Sequence, residues 1–395
     1  MKIEQRIAAW HEEMTAIRRD IHAHPELAFE EERTAAIVAE RLREYGCEVT
    51  TGIAKTGVVG TIRVGNSPNS IGLRADMDCL PMQEANTFAH ASKFKGRMHG
   101  CGHDGHTAML LTAARYLSAT RNFQGTVHFI FQPAEEGPGG GRVMVEEGLF
   151  QKFPCDSVFG MHNRPSLPVG KFQIRPGPMM AGAGSFDITI KGKGAHGARP
   201  ESGIDPVVVA SHVVTAAQTI RSRSLSPHDP AVLSITQIHA GDAYNVIPET
   251  CVLRGTIRAF RTEVMDQMMQ QLERVATQVA AAYGATAACS IRKGYPPLVN
   301  DATEANYIAD VAASLVGEEN VNRNGALVMG SEDFSYMLQA VPGAFILTGQ
   351  GGGPDGGGSC EVHNPGYDFN DEVLPLGATL FARLVEAKLG APAAA

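Results

Sequence analysis

Two spacings of apolar residues alternate along the chain. Residues 3–22 and 30–45 return to apolar at three- and four-residue steps, which predicts two amphipathic helices. Three shorter stretches follow: Cys47–Ile53, Gly57–Val64 and Ser70–Met77. They are rich in apolar and β-branched residues and predict strands. A helix is predicted from about His103 through Leu117, then the apolar strand Thr126–Gln132, a glycine-rich turn, the helix Arg142–Phe150 and the strand Ser157–Asn163. Apolar strands alternating with helices predict an α/β layer around a buried, largely parallel sheet.

The middle of the chain changes period. Ser185–Gly192 alternates polar and apolar, Asp205–Arg223 is helical, Ala231–Ala240 and Cys251–Phe260 are strands, Thr262–Gly284 is a long helix and Ala285–Gly294 a final strand. The order β-α-β-β-α-β is that of a ferredoxin-like split unit. The first pattern then resumes, with helices over Asp301–Gly317, Ser331–Gln339 and Glu372–Leu389 and a strand at Gly343–Gly349. The chain therefore reads as a discontinuous α/β domain, residues 1–182 and 294–395, with a mixed, largely parallel sheet flanked by helices and an α+β lid domain inserted over 183–293. Two consecutive domains are the alternative. A site shared by residues on both sides of the insert disfavours it.

Charge narrows the partners. The formal net charge is -8 and no run of one sign stands out, so neither nucleic acid nor a membrane surface is an expected partner. The first twenty residues lack the apolar centre of a signal peptide, and no apolar run is long enough to span a bilayer. Seven irregularly spaced cysteines are not a disulfide framework, which points to free thiols in a reducing cytoplasm. The glycine-rich stretch before His363 reads as a mobile loop, and residues 391–395 as a frayed tail.

The densest candidate chemistry is MHGCGHDGH, residues 98–106, which holds His99, Cys101, His103, Asp104 and His106 where a loop enters a helix. Thiolate, imidazole and carboxylate together suit a transition metal: zinc, manganese, cobalt or nickel. The spacing alone does not say which of the five bind. Glu135 and Glu136 follow the strand Thr126–Gln132, at the carboxyl end where ligands of open α/β sheets sit. Adjacent strand residues point to opposite faces, so both carboxylates serve one site only if a turn lies there, and Pro133 and Gly137 suggest one. One glutamate could then bind metal while its neighbour acts as general base. His162 follows the strand residues SVF, His363 follows the glycine-rich loop, and Asp76 and Asp78 end another strand, where either could orient a ligand histidine from behind. In the insert, His196 stands between glycines, and Asn245 and Arg258 adjoin strands. An arginine can clamp a substrate carboxylate. Taken singly, each of these is ordinarily a solvated side chain. The inference rests on the ensemble. A serine nucleophile in G-x-S-x-G and a Walker phosphate loop are both absent from the sequence.

These residues fall in a series of ordered motifs: HPEL, LRADMDCLP, MHGCGHDGH, FQPAEEG, GMHN, KGKGAHGARP, NVIPE, RGTIRAF, MGSEDFSYM and VHNP. With them the chain resembles the M20 metallopeptidase family, in the branch of hippurate hydrolases, N-acyl-amino-acid amidohydrolases and plant auxin-conjugate hydrolases. The resemblance implies a catalytic α/β domain with an inserted lid and two divalent metal ions held by Cys101, His103, Glu136, His162 and His363. It implies Glu135 as general base and His196 as an oxyanion donor on the lid, with lids pairing into a homodimer or homotetramer. The choice of Cys101 over His99 and His106 comes from the family pattern alone. Most relatives carry His-x-Asp where this chain has Asp76-Met77-Asp78, so Cys101 with His103 takes the place of that arrangement. The implied reaction is hydrolysis of the amide of an N-acyl amino acid. A dipeptidase or exopeptidase with the same centre is the alternative, and a metal-stabilised binding protein a more distant one.

Overall fold

The computed structural model describes residues 1–352 and 360–390, so most of the stretch read as a mobile loop, 353–359, and the tail 391–395 lie outside the described residues. The chain divides into two compact units. One is Met1–Gly177, Val299–Ala326 and Asp333–Ala395, and the other is Pro178–Leu298 with Leu327–Glu332.

The first unit is built on an eight-stranded mixed sheet. Its centre is parallel: Ser70–Asp76 lies between Gly125–Gln132 and Ser157–Pro168, and Gly343–Gly351 continues the parallel run beyond Ser157–Pro168. Gly57–Val64 and Glu48–Ile53 extend the other edge antiparallel. Every residue of Ser70–Asp76 and of Gly125–Gln132 is buried, as strands covered on both faces must be. The covering helices include His11–Ala23, Glu32–Glu44, His103–Thr120, Ala302–Val316 and Leu374–Lys388, and their apolar faces complete one continuous core. Because the three central strands run the same way, their carboxyl ends deliver Asp76, the Pro133–Glu136 segment and the His162 region to one end of the sheet.

Three predicted helices are corrected. The stretch 3–22 is two helices, Gln5–Ala8 and His11–Ala23. Arg142–Phe150 is two short helices, Gly140–Glu146 and Leu149–Lys152, parted by Gly148 at φ 87°. The helix expected from Ser331 starts only at Phe334. In addition, the strand carrying His162 continues past its predicted end at Asn163 to Pro168.

The second unit has the expected β-α-β-β-α-β order in Gly182–Lys191, Pro206–Thr219, Ala231–His239, Thr250–Ala259, Thr262–Ala282 and Thr286–Lys293. Its four strands are antiparallel, and both helices pack on their own core. The unit is wider than 183–293 at both ends and takes in Leu327–Glu332. The Ala181 N–H donates to Val328 and Gly330 carbonyls at 2.9 and 3.1 Å, a pairing distant in sequence that no periodicity announces. No helix among the described residues is long and apolar enough to cross a membrane.

Candidate metal centre

The loop Met98–Gly102 enters the helix His103–Thr120 through Gly102 at φ 96°, a left-handed conformation that favours glycine. Space makes the same demand. A Cβ at Gly102 would sit 2.4 Å from Asn163 Oδ1 and 2.6 Å from the Tyr367 hydroxyl. Cys101 and His103 are thereby presented from either side of one tight bend, and both are buried.

Among the groups of ligand atoms that lie within 4.8 Å of one another are three that join these candidates: Cys101, His103 and His162; Cys101, Glu136 and His363; and His103, Glu135 and Glu136. Cys101 is common to the first two. The Cys101 sulfur stands 3.3 Å from His162 Nε2, and His363 Nε2 stands 3.2 Å from Glu136 Oε1. His363 is held at φ 64° and its N–H donates to the Gly100 carbonyl at 2.7 Å, which fastens a residue remote in sequence to the cysteine loop.

The turn needed to bring both glutamates round is present, and Ala134 makes it at φ 56°. Glu135 is 7% exposed, and the Glu136 N–H donates to Asp78 Oδ2 at 2.8 Å. Asp78 also accepts the Nδ1–H of His103 at 3.2 Å, so one carboxylate positions two candidate ligands. Asp76 does something different. It accepts Arg74 at 2.7 Å and the Nδ1–H of His106 at 2.6 Å, and His106 Nε2 lies 2.7 Å from Asn163 Oδ1. Asn163 donates in turn to the Tyr367 hydroxyl at 2.8 Å, closing a buried chain behind Gly102.

The donor set fits cations. His103 Nε2 is buried and makes no hydrogen bond, and the buried Glu136 Oε1 faces another ligand candidate, His363 Nε2 at 3.2 Å. His162 donates Nδ1–H to the Asn163 carbonyl at 2.7 Å, and burial holds its ring down to about 3, so Nε2 keeps its lone pair. Burial opposes charge on His103 too, yet Asp76, Asp78 and Glu136 together hold it up to about 10. The field at this spot therefore favours positive charge. Burial and the nearby Glu136, Glu135 and Asp76 carboxylates push the Cys101 thiol well up, and a cation among them would reverse that.

The other ring of this segment, His99, is not grouped with any of these ligand sets. Asp104 caps no helix end; it accepts the Nδ1–H of His22 at 2.8 Å and lies 3.5 Å from the Arg18 guanidinium. Sequence reasoning passed over His22 and Arg18. The available signal was a helix face on which Met14, Arg18, Ile21 and His22 are buried together, with a cation and a histidine where apolar residues belong. Of the residues expected in the insert, His196 and Asn245 come together: His196 pairs with Val246, and the Gly197 N–H donates to the Asn245 carbonyl at 2.7 Å. Both are exposed, whereas Arg258 lies on the strand Thr250–Ala259, held by Thr256.

An α/β protein with clustered thiolate, imidazole and carboxylate donors at the strand ends, and a split α+β insert, is the class that fold and donors define. Within it, the chain belongs to Peptidase family M20/M25/M40, whose pattern matches residues 72–387. It is 40% identical over 372 residues to a hippurate hydrolase of Campylobacter jejuni, covering 94% of this chain and 95% of that one. It is 38% identical over 378 residues to an N-acetylcysteine deacetylase of Bacillus subtilis, covering 95% and 97%. Among solved structures, the YXEP protein of Bacillus subtilis, described as a dinuclear metal-binding peptidase of the M20 family, superposes with a TM-score of 0.84 at 36% identity, covering 97% and 99%.

Proposed function

We propose that this protein hydrolyses the amide bond of N-acyl amino acids with two divalent metal ions. Cys101, His103, Glu136, His162 and His363 would hold the ions and Glu135 would serve as base. One observation carries the reading: two groups of ligand atoms share the buried Cys101, and Glu135 closes a third group with His103 and Glu136. A binding protein stabilised by metal has no use for that extra carboxylate. The relatives named for hippurate and N-acetylcysteine support an acyl-amino-acid substrate.

Bound divalent ions supply Lewis acidity, lowering the pKa of water and polarising the amide carbonyl. The chain's own groups do the rest. Glu135 accepts a proton from the attacking water at its carboxylate and passes it to the amide nitrogen as the C–N bond breaks. Asp78 fixes the tautomer of His103 and the backbone of Glu136. Asp76 and His106 brace the bend between Cys101 and His103 through Asn163. His196 donates Nε2–H to the carbonyl oxygen as charge builds there; its Nδ1 accepts the Ala198 N–H at 3.0 Å, which puts the proton of a neutral ring on Nε2. Arg258 and Asn245 bind the substrate carboxylate.

The metal is zinc, manganese, cobalt or nickel, the ions this mixture of thiolate, imidazole and carboxylate suits. Seven free cysteines support a cytoplasmic setting. Exposed Val207 and Val208 on one helix and Ile238 on an edge strand of the inserted unit support assembly through that unit as a homodimer or homotetramer. The test is a panel of N-acetyl, N-benzoyl and indole-acyl amino acids beside simple dipeptides, given to enzyme reconstituted with each metal. Turnover of the acyl amino acids is expected. Turnover of dipeptides alone would make the protein a peptidase.

A further inference from the structure

The base and its neighbouring ligand stand on a turn that alanine does not favour, and a buried acid from another part of the chain holds that turn. Ala134 sits at φ 56°, in the left-handed region where a Cβ crowds the following carbonyl. Both of its backbone polar groups are engaged. Its carbonyl accepts the N–H groups of Gly139 and Gly140 at 3.1 and 2.9 Å, and its own N–H donates to Glu31 Oε1 at 2.9 Å. Glu31 precedes the helix Glu32–Glu44, is fully buried and caps no helix end.

Two further donors converge on the same carboxylate. The Phe29 N–H reaches Oε1 at 3.1 Å and the Thr56 hydroxyl reaches Oε2 at 2.6 Å. Each comes from a loop with its own left-handed residues: Phe29 at φ 62°, and Ala54 and Lys55 at φ 49° and 71°. The Lys55 ammonium also lies 4.9 Å over the Phe29 ring, tying those two loops to each other. Three strained turns thus meet at one buried carboxyl group whose three donors are all neutral, and burial raises its pKa from 4.5 to about 7. Burying a carboxylate in this way is costly, and strained backbone persists only where its surroundings fix it.

We infer that Glu31 is a positioning residue for the Glu135–Glu136 pair: by holding the Ala134 N–H it fixes the left-handed turn that aims both carboxylates. Asp78 restrains the same segment one step further on, through the Glu136 N–H. The inference rests on Glu135 as base and Glu136 as ligand, so its test includes a measurement that needs no substrate.

Metal affinity is measured by competition with a chromophoric chelator, using manganese or zinc alone, alongside kcat and KM on N-benzoylglycine. Glu31→Ala should weaken metal binding and lower kcat, each by about 10–100-fold, with KM changed far less. Glu31→Gln should recover most of both. Its Oε1 can still accept the two N–H groups, and its Nε2 can donate to the Thr56 oxygen. Adding Ala134→Gly to Glu31→Ala should also recover part of the loss, because glycine takes this φ unaided. A residue that supports only general stability would not be rescued at position 134. A folded Glu31→Ala protein with wild-type metal affinity overturns the inference, as does a double variant that recovers nothing. Should Glu31→Ala fail to fold, Glu31→Asp, which withdraws the carboxylate by one methylene, must still show weakened metal binding, and wild-type affinity there is equally decisive. Absence of turnover on every acyl amino acid would defeat the functional reading and leave the metal-affinity comparison intact.

Discussion

The polar residues of the two units are held in opposite ways. In the first unit Asp76, His103 and His106 are buried to within 1%, and each is fixed by a partner whose own position is fixed: Arg74 and His106 on Asp76, Asp78 on His103, Asn163 on His106. In the inserted unit His196 and Asn245 are exposed, and a two-residue ribbon with its adjoining backbone bonds holds them. A centre that gathers several charges needs its geometry set before substrate arrives, since buried groups that miss their partners cost too much to keep. A donor needed only as charge develops can stay in water until then. The difference between the units is one of burial and support, and the proposed function turns it into one of timing: a centre set on folding, and exposed residues that would be engaged only in turnover.

Substitution at each kind of site tests that contrast. Glu135→Gln should lower kcat by about 10²–10⁴-fold, the range of general acid–base catalysis, while metal content by elemental analysis stays at the wild-type level. Retention of most of the turnover would remove Glu135 as base. His196→Ala should cost about 10²–10³-fold in kcat, the scale of one oxyanion donor, with unchanged metal content and thermal stability. Loss of metal in this variant would show that the insert helps to build the centre, and the contrast would fail.

The smallest effect concerns stability. Burial opposes charge on His22, but its contacts with Asp104 and Glu84 outweigh that and raise it from 6.5 to about 9. Because the folded value is the higher one, the stabilisation is complete below about 6.5 and is lost as pH rises through about 9. Between those values Tm should fall more steeply for the wild type than for His22→Gln, by roughly a few degrees. Parallel Tm curves would show that His22 stays neutral.

The fold was legible where period and punctuation agreed. The apolar-rich, wholly buried strands Ser70–Asp76 and Gly125–Gln132 and the insert's β-α-β-β-α-β order follow directly from spacing. Leu327–Glu332 was not legible, because its link to the inserted unit includes backbone bonds to Met179 and Ala181 with no periodic signature. Of the site, the residue types at the strand ends could be read, and so could the need for a turn at Glu135 and Glu136. The residue that makes the turn could not, since a left-handed alanine is stabilised by a carboxylate some hundred positions away. Asp76 and Asp78 looked equivalent in the sequence. They diverge because alternate residues leaving a strand meet different neighbours, His106 and Arg74 for one, His103 and the Glu136 backbone for the other.

The proposed chemistry requires two metal ions gathered around Cys101. The decisive measurement is titration of manganese or zinc into chelator-stripped enzyme, following turnover of N-benzoylglycine and, by mass spectrometry, alkylation of Cys101. The stripped enzyme should be inactive and its Cys101 open to alkylation. Activity should rise until about two equivalents are bound, the number a dinuclear centre requires, with Cys101 becoming protected over the same range. Full turnover in protein shown to be metal-free, or a Cys101 alkylated equally fast at every metal concentration, would contradict it.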